Sequence, residues 1–293
     1  MIKDTMIDEI FERFDGAFAE NTIRAYRYDF EQYSKWCAGK NLKPIPANAD
    51  SLAMYVDELS HTCKSATIRR RVNSLGTIFT LSKNEDPTKD PEVILVLKRM
   101  HRRIGRYQKQ ATPLRRDHLE LLLTNCSDDL KGLRNRVLLQ LGYETMRRRS
   151  ELCAFRFEDL EIRHDSRPLL RLRKSKADQE SIGRVIAISR ELGILIETWK
   201  EKTGATKGFI LRAVNKHGSV SSQLSPGSIP IILNCLRNSI TNANTGNSFS
   251  GHSLRVGAAL DLLIKGETLE RIMIKGGWKS RDSAIRYLQQ LNS

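Results

Sequence analysis

The sequence predicts a mainly α-helical protein with a small antiparallel sheet, organised in two domains. Apolar residues recur every three or four positions over much of the chain, which is the period of an amphipathic helix. The period changes to two in the segments LLRLR and RVIAI, as expected of half-buried strands. A chain of 293 residues is long enough for two cores, with one large domain as the alternative.

The first domain is predicted to span residues 1–104 and to be entirely helical. Apolar stripes indicate four helices, at about residues 6–14, 21–37, 50–59 and 65–82. Asn21 is the predicted N-cap of the second helix, because its side chain can accept a hydrogen bond from a free amide of the first turn.

Basic side chains on the second and fourth helices lie opposite the apolar stripes, which favours contact with a DNA groove. The predicted DNA-binding residues of these helices are Asn21, Arg24, Arg27, Arg69, Arg70 and Arg71. A solvated helix face has the same pattern, so that alternative stays open.

A strongly basic stretch runs from Lys98 to Arg116, lacks a clear apolar period and contains glycine and proline. The interdomain linker is therefore predicted at residues 105–112. Its positive charge favours contact with DNA phosphates, although a charged linker can also be a simple spacer. The predicted DNA-binding residues here are Arg102, Arg103 and Arg106.

The composition favours a polyanionic partner, because 49 Lys and Arg against 34 Asp and Glu leave a formal charge of +15. Charge alone does not separate DNA from RNA or the ribosome. No apolar run approaches the ~18 residues of a membrane span, and the opening segment is too acidic for a signal peptide. We therefore expect a soluble, cytoplasmic, nucleoid-associated protein without a membrane or small-molecule partner.

No cofactor is expected from the sequence. The five cysteines are scattered and never in CxxC spacing, which indicates neither a disulfide framework nor a zinc site. No carboxylate cluster with two-metal spacing and no phosphate-binding glycine loop is apparent. The predictions are therefore no metal and no ATP.

The second domain, residues 113–293, is predicted to mix helices with the sheet. Helices are expected at about 115–125, 130–145, from near 149, and at 189–203, and strands at about 160–164, 168–173 and 184–188. Lys176 falls near the tip of a polar hairpin between the last two strands. Polar loops are expected at 218–228 and 238–251.

Candidate chemistry lies in the last fifty residues. His252 and Arg255 are three apart at the start of a predicted helix, so both side chains can reach a phosphate held at its N-terminus. Two glycines precede Trp278, Ser280 can cap a further helix, and Tyr287 falls on that helix's apolar stripe. Taken alone, the tryptophan and the tyrosine fit a core equally well.

The motifs HSLR and GGW, followed by Tyr287, together resemble the active-site signature of the tyrosine recombinase and integrase superfamily, and most closely its Cre-like members. YETMRRRSELCAFRFEDL resembles the family's first arginine box and selects Arg148 and Glu151. LRLRKSKAD resembles the hairpin of the catalytic lysine and selects Lys176. ENTIRAYRYDFEQYSKWC and SATIRRRVNSLGTIF resemble groove-facing helices of the core-binding domain. The resemblance implies the two-domain tyrosine recombinase architecture, with a helical core-binding domain and a mixed α/β catalytic domain.

The resemblance implies strand cleavage by the phenol of Tyr287, which forms a 3'-phosphotyrosyl bond and releases a 5'-hydroxyl. Arg148 and Arg255 would clamp the phosphate, and His252 would accept the proton or bind the phosphate. Trp278 would donate its indole N–H to a phosphate oxygen.

The same resemblance assigns Lys176 as general acid for the departing oxygen and Glu151 as a residue that orients the histidine or an arginine. An ordinary exposed hairpin lysine is the alternative for Lys176.

The resemblance also implies a homo-tetramer that holds two double-stranded DNA sites and passes through a Holliday junction. Cre-like members continue past the tyrosine into a helix that docks on a neighbouring subunit, whereas this sequence ends six residues after Tyr287. Subunit contacts are therefore expected to differ. The alternatives to a recombinase are a type IB topoisomerase and a non-catalytic DNA-binding protein with the same fold.

Overall fold

The computed structural model describes residues 4–107, 110–162, 168–173, 183–240 and 248–288. The chain divides into two compact units, Met1–Lys109 and Gln110–Ser293, here called the N-terminal unit and the C-terminal unit. The prediction of a mainly helical fold with a small antiparallel sheet is confirmed. Among the described residues, no helix is long and apolar enough to cross a membrane.

The described part of the N-terminal unit is built from helices, as predicted. They are α1 Asp4–Glu12, α2 Glu20–Gly39, α3 Ala49–Thr62, α4 Ser65–Leu81 and α5 Pro91–Ile104. The apolar stripes of α2 and α4 meet in the core, where Phe30, Tyr33, Leu75 and Phe79 are buried. The opposite faces of these helices stay at the surface and carry arginines.

Two details of this unit differ from the sequence-based expectation. The prediction that residues 98–104 lack a helical pattern was wrong, because they form the last turns of α5, whose Val93 and Met100 are buried. The N-cap prediction for Asn21 was also wrong. Helix α2 is capped at Ala19, and Asn21 lies in its first turn, where its side chain accepts a hydrogen bond from Arg24.

The C-terminal unit combines further helices with the sheet. Its described helices are α6 Arg116–Thr124, α7 Leu130–Thr145, α8 Arg149–Leu152, α9 Arg190–Lys202, α10 Ser228–Ile240, α11 Ser253–Ile264, α12 Leu269–Gly276 and α13 Arg281–Leu288. Helix α10 was not predicted. It buries Ile229, Leu233 and Leu236 between the two polar segments that were expected to be loops.

The sheet consists, in the described residues, of β1 Leu160–Ile162, β2 Pro168–Leu172 and β3 Arg184–Ala187 in the antiparallel order β1-β2-β3. Leu170 pairs with Leu160 on one side and with Ile186 on the other. Leu170 and Leu172 of β2, and Ile186 of β3 with Ile188 just after it, belong to the core of this unit, which agrees with the period of two in these sequences. The predicted hairpin with Lys176 lies outside the described residues.

Helix α11 occupies the centre of the region that contains the candidate site. It packs against α7, α12 and α13, and most of its residues from Ser253 to Asp261 are buried. Leu254 and residues 256–260 are apolar and buried on several faces of α11, so neighbouring helices surround this part of the helix. Its N-terminus is thereby held close to the end of α7 and to the start of α8.

Candidate active site

The three consecutive arginines after α7 have different environments. Helix α7 ends at Met146, whose backbone adopts the left-handed conformation with φ 52°. After this turn Arg147 is buried, with 3 % exposure, Arg148 is half-buried and Arg149 is exposed. The turn therefore points adjacent side chains of like charge in different directions.

Arg148 is held by Glu151, the acid three residues further on. Its Nη1 donates to Oε1 of Glu151 at 2.8 Å and its backbone N–H donates to Oε2 at 3.1 Å. Glu151 is 3 % exposed, so its carboxylate is desolvated and bound in a fixed orientation. Of the two partners considered for Glu151, the arginine is the one that it contacts in the described residues.

Arg255 lies on the first turn of α11 and is 2 % exposed. Its Nη1 donates to the carbonyl oxygen of Met146 at 2.9 Å, and its guanidinium carbon lies 3.9 Å from the ring centroid of Trp278. Burial and the positive charges of Arg148 and Arg147 lower the pKa of Arg255 to about 9. The guanidinium is still protonated at pH 7, and a bound anion would relieve the repulsion between these like charges.

Trp278 follows two glycines at the end of α12. A Cβ atom on Gly276 would lie 1.9 Å from the indole ring, and Gly277 has the left-handed φ of 72°. The backbone N–H of Trp278 donates to the carbonyl oxygen of Met273 at 3.0 Å, which closes the helix end. The GGW motif therefore has a structural cause: Gly276 leaves room for the indole to fold back over α12, and Gly277 adopts the left-handed backbone that ends the helix.

Tyr287 lies on the second turn of α13 and is half-buried. Ser280 caps this helix as predicted, and accepts a hydrogen bond from the N–H of Ser283. The ring centroid of Tyr287 is 6.0 Å from that of Trp278 and 6.4 Å from that of His252. The tyrosine therefore borders the basic cluster and is not enclosed in apolar packing.

His252 is the N-cap residue of α11. Its Nδ1 is buried and has no hydrogen-bond partner among the described residues. Burial, followed by the positive charges of Arg255, Arg149 and Arg148, lowers the pKa of this imidazole. His252 is consequently neutral at pH 7, and a neutral imidazole can accept a proton.

The structure thus brings together six of the seven predicted catalytic residues: Arg148, Glu151, His252, Arg255, Trp278 and Tyr287. The seventh, Lys176, lies outside the described residues. The sequence did not indicate Arg147, which is also buried beside this cluster. No group of three or more side chains that could hold a metal ion occurs among the residues that the structure describes.

The arginines predicted to bind DNA on α2 are exposed or half-exposed and have acidic neighbours. Arg24 donates to Glu20 at 2.6 Å and to Asn21 at 3.2 Å. Arg27 donates to Asp8 at 2.5 Å. Ion pairs this open to solvent contribute little to stability, so a DNA phosphate can replace the carboxylate.

The arginines on α4 differ more strongly from one another. Arg70 donates to the buried carboxylate of Asp29, which Ser74 also contacts at 2.8 Å. The side chain of Arg71 is only 13 % exposed and donates to the hydroxyl of Tyr55 at 3.3 Å. Arg70 is therefore fixed at the surface, whereas Arg71 points into the unit.

Arg103 pairs with Asp57 at 3.3 Å, with both side chains largely in solvent. Arg69, Arg102 and Arg106 are exposed, and no hydrogen bond or ion pair holds their guanidinium groups within the described ranges. The DNA-binding role of all nine residues of the N-terminal unit stays a prediction.

The fold and the cluster of two arginines, a histidine, a tryptophan and a tyrosine are those expected of a tyrosine-type site-specific DNA recombinase, and the comparisons with known proteins show that class. Residues 112–293 match the Phage integrase family. This is more than half of the chain, and the chain belongs to that family. The predicted membership of the tyrosine recombinase superfamily is confirmed.

Similarity to individual proteins extends over nearly the whole chain. It is 28% identical over 292 residues to an integrase/recombinase XerD homologue of Selenomonas ruminantium, which covers 96% of this chain and 84% of that protein. It is 27% identical over 311 residues to the recombinase Cre of Escherichia phage P1, with 100% and 90% coverage. The crystal structure of XerH site-specific recombinase bound to a palindromic difH substrate, a post-cleavage complex, has a TM-score of 0.70, 16% identity, and coverage of 100% of this chain and 82% of that chain. At this identity the last comparison supports the fold alone.

Proposed function

We propose that this recombinase cleaves and rejoins DNA through a covalent bond between Tyr287 and a 3'-phosphate. The observation that carries the proposal is the convergence of a phenol, an imidazole, an indole and two guanidinium groups in one partly buried cluster. These groups come from α11, α13, the end of α12 and the turn after α7. The groups that shift the pKa of Arg255 are neighbouring arginines, Glu151 and the tyrosine. The cluster therefore carries an excess of positive charge, which suits the negative charge of a phosphodiester.

In the proposed step the oxygen of Tyr287 attacks phosphorus while the bond from phosphorus to the 5'-oxygen breaks. A phenol is largely protonated at neutral pH and is then a weak nucleophile. His252, neutral at pH 7 and next to the tyrosine ring, accepts the phenolic proton. The reverse reaction, with a 5'-hydroxyl as nucleophile, restores a phosphodiester and frees the tyrosine.

Arg148 and Arg255 bind the non-bridging phosphate oxygens and stabilise the charge that develops in the transition state. Positioned arginines contribute ~10³ to 10⁵ in rate in phosphoryl transfer. Their orientations are set in advance by Glu151 and by the carbonyl oxygen of Met146, so little reorganisation accompanies the reaction. The indole N–H of Trp278 is the neutral donor of the set, and the ring shields the covalent bond from water.

Lys176 is proposed as the general acid that protonates the departing 5'-oxygen, by resemblance to the family's hairpin lysine. The phosphotyrosyl bond conserves the energy of the broken phosphodiester, so no ATP is required. Guanidinium groups supply the positive charge that divalent metals supply in many nucleases. Cleavage is therefore proposed to proceed in EDTA and without nucleotide.

The N-terminal unit is proposed to contribute sequence-independent and sequence-dependent DNA contacts. A surface groove next to α2 and α4 is lined by Tyr26, Ala66, Arg69, Arg70, Asn73 and Ser74. Exposed guanidinium groups beside small polar side chains suit a DNA groove, where arginine binds both phosphates and guanine. By the family resemblance, four protomers hold two duplexes and exchange strands through a Holliday junction.

The test is a nicked suicide substrate that carries a site from the genomic neighbourhood of the gene. Cleavage loses the short downstream strand, so a covalent protein–DNA adduct accumulates. Tyr287→Phe should bind the duplex with unchanged affinity and form no adduct, since it lacks only the attacking oxygen. Tyr107→Phe, which removes the hydroxyl of an exposed tyrosine, is the matched control and should form the adduct normally.

Adduct formation by Tyr287→Phe would refute the assignment of the nucleophile. Paired sites distinguish the alternatives: junctions and exchanged products support the recombinase, whereas relaxation of supercoils without exchange would indicate a topoisomerase. Equal biological function of the wild type and Tyr287→Phe would indicate a non-catalytic protein.

A further inference from the structure

Arg147 is a buried guanidinium that the proposed chemistry does not use. It is 3 % exposed, and burial, in part offset by Glu151, lowers its pKa to about 10. No carboxylate accepts a hydrogen bond from it within the described residues. Burying a cation without a carboxylate partner is costly, and an apolar side chain would pack in the same space without that cost.

The hydrogen-bond partners of Arg147 are backbone carbonyl groups at two helix ends. Its Nε donates to the oxygen of Thr145 at 2.8 Å, and one terminal nitrogen donates to the oxygen of Lys275. Thr145 ends α7 and Lys275 belongs to the last turn of α12. The carbonyl end of a helix carries partial negative charge and unpaired acceptors, which favours a cation at both places.

Gly277 lies directly against this guanidinium. A Cβ atom there would be 2.6 Å from Nη1 of Arg147, so the glycine is required both by its left-handed backbone and by this contact. Trp278 is the next residue, and its ring lies under Arg255 and beside Tyr287. Displacing the end of α12 would therefore displace the indole that lies against Arg255 and beside Tyr287.

We infer that Arg147 is a positioning residue: it joins the turn before Arg148 to the end of α12 and so holds the indole of Trp278 at the phosphate pocket. The inference rests on the proposed function, because it concerns the same pocket. Arg147 is buried, and its hydrogen bonds go to backbone carbonyl groups. It acts through Trp278.

Single-turnover cleavage of the suicide substrate tests this inference, with Arg147→Met as the variant. Methionine fills similar space and cannot donate to the carbonyl groups. Cleavage should slow by about 10²-fold, the effect of losing one well-placed transition-state donor. The Kd for the duplex should change less than about threefold, because the arginine is buried away from the surface that DNA can reach. Arg147→Lys keeps a charged donor, so its cleavage should be about tenfold faster than that of Arg147→Met.

A double-mutant cycle with Trp278→Phe separates positioning from a general loss of structure. If Arg147 acts through the indole N–H, Arg147→Met should slow the Trp278→Phe enzyme by less than about threefold. Quenching of tryptophan fluorescence by acrylamide should rise in Arg147→Met and stay unchanged when the same substitution is made in Trp278→Phe. Each of three results would overturn the inference: rate effects of Arg147→Met and Trp278→Phe that multiply, unchanged fluorescence quenching in Arg147→Met, or normal cleavage by Arg147→Met.

Urea unfolding of each variant shows whether the C-terminal unit is intact. Where Arg147→Met does not fold, Arg147→Lys is carried through the same cycle with a smaller expected loss and the same criterion of non-additivity. An absence of adduct with the wild-type protein would instead refute the proposed function. The two failures are therefore distinguishable.

Discussion

Replacing Glu151 by glutamine should lower the stability of the C-terminal unit and at the same time strengthen its binding of anions. The carboxylate accepts hydrogen bonds from the side chain and the backbone of Arg148 at 2.8 and 3.1 Å. It is also the negative charge that offsets Arg147 and Arg255, whose pKa values it raises against the effect of burial. Glutamine keeps the shape and removes the charge.

The expected loss of stability follows from the two hydrogen bonds. A hydrogen bond to a charged group contributes about 1.5–3 kcal/mol, and a neutral one about 0.5–1.5 kcal/mol. Glutamine offers a single neutral oxygen, so Glu151→Gln should cost about 2–3 kcal/mol in total. For a unit of this size that corresponds to a fall in Tm of about 4–12 °C.

Sulfate should reverse much of this loss, because it mimics the phosphate and supplies the missing negative charge. A ligand that binds only the folded state stabilises it by RT ln(1 + [L]/Kd), so tighter binding gives a larger rise in Tm. We therefore expect 50 mM sulfate to raise the Tm of Glu151→Gln by more than it raises that of the wild type.

Thermal unfolding is best followed by fluorescence in a Trp36→Phe background, since Trp199 and Trp278 then both report on the C-terminal unit. Glu120→Gln is the matched control, because that carboxylate pairs with Arg116 in solvent and its loss should be nearly neutral. Equal sulfate responses in the two variants, or an unchanged Tm in Glu151→Gln, would refute the reasoning.

Three further predictions concern titration and buried acids. The single-turnover cleavage rate should stay constant from pH 8 to about 6.5 and fall only below the ordinary imidazole pKa of about 6.5. The reason is that burial and neighbouring arginines lower the pKa of His252. A fall in rate centred above pH 7 would contradict a neutral proton acceptor. Asp261→Asn should reduce the free energy of unfolding at pH 7 by about 1–2 kcal/mol, and urea titrations should find this difference shrinking on acidification. Burial raises the pKa of the Asp261 carboxyl, but its hydrogen bonds outweigh burial and lower the pKa. The stabilisation by Asp261 is therefore present above the unfolded pKa of about 3.9 and is lost as the pH falls through the lower pKa of the folded state. A stability difference that grows at pH 3 would be inconsistent with this sign. Asp29→Asn should destabilise the N-terminal unit by about 2–3 kcal/mol in urea unfolding, since it leaves the half-exposed Arg70 without its buried carboxylate. The control Glu20→Gln removes a solvent-exposed acid and should cost under about 0.5 kcal/mol. Similar losses in the two variants would argue against a role for burial.

Local pattern accounted for most elements of the fold. Helix α9 begins after Ser189 and ends at Lys202, close to the predicted 189–203, because a serine cap and an apolar stripe mark it in the sequence. Helix α5 was missed because its basic residues dominate the count of polar positions. Its start was nevertheless marked by Asp90 followed by Pro91, an acidic cap and a proline in the first turn.

The sequence predicted some residues of the candidate site and missed another. His252, Arg255 and Tyr287 followed from spacing on two helices and from the resemblance. Arg147 could not be found, since hydropathy places arginine at the surface. Its burial depends on the carbonyl end of α12, 128 residues further along the chain, and no local sequence pattern encodes such a contact.

The site around Tyr287 is built from distant stretches of chain. Arg255 donates a hydrogen bond to the carbonyl oxygen of Met146, which lies 109 residues before it in the sequence, and Tyr287 comes after both. During synthesis on the ribosome, the arginines of the first box therefore emerge before Tyr287 does. A chain that stops before α13 lacks the proposed nucleophile and cannot form the proposed covalent bond to DNA.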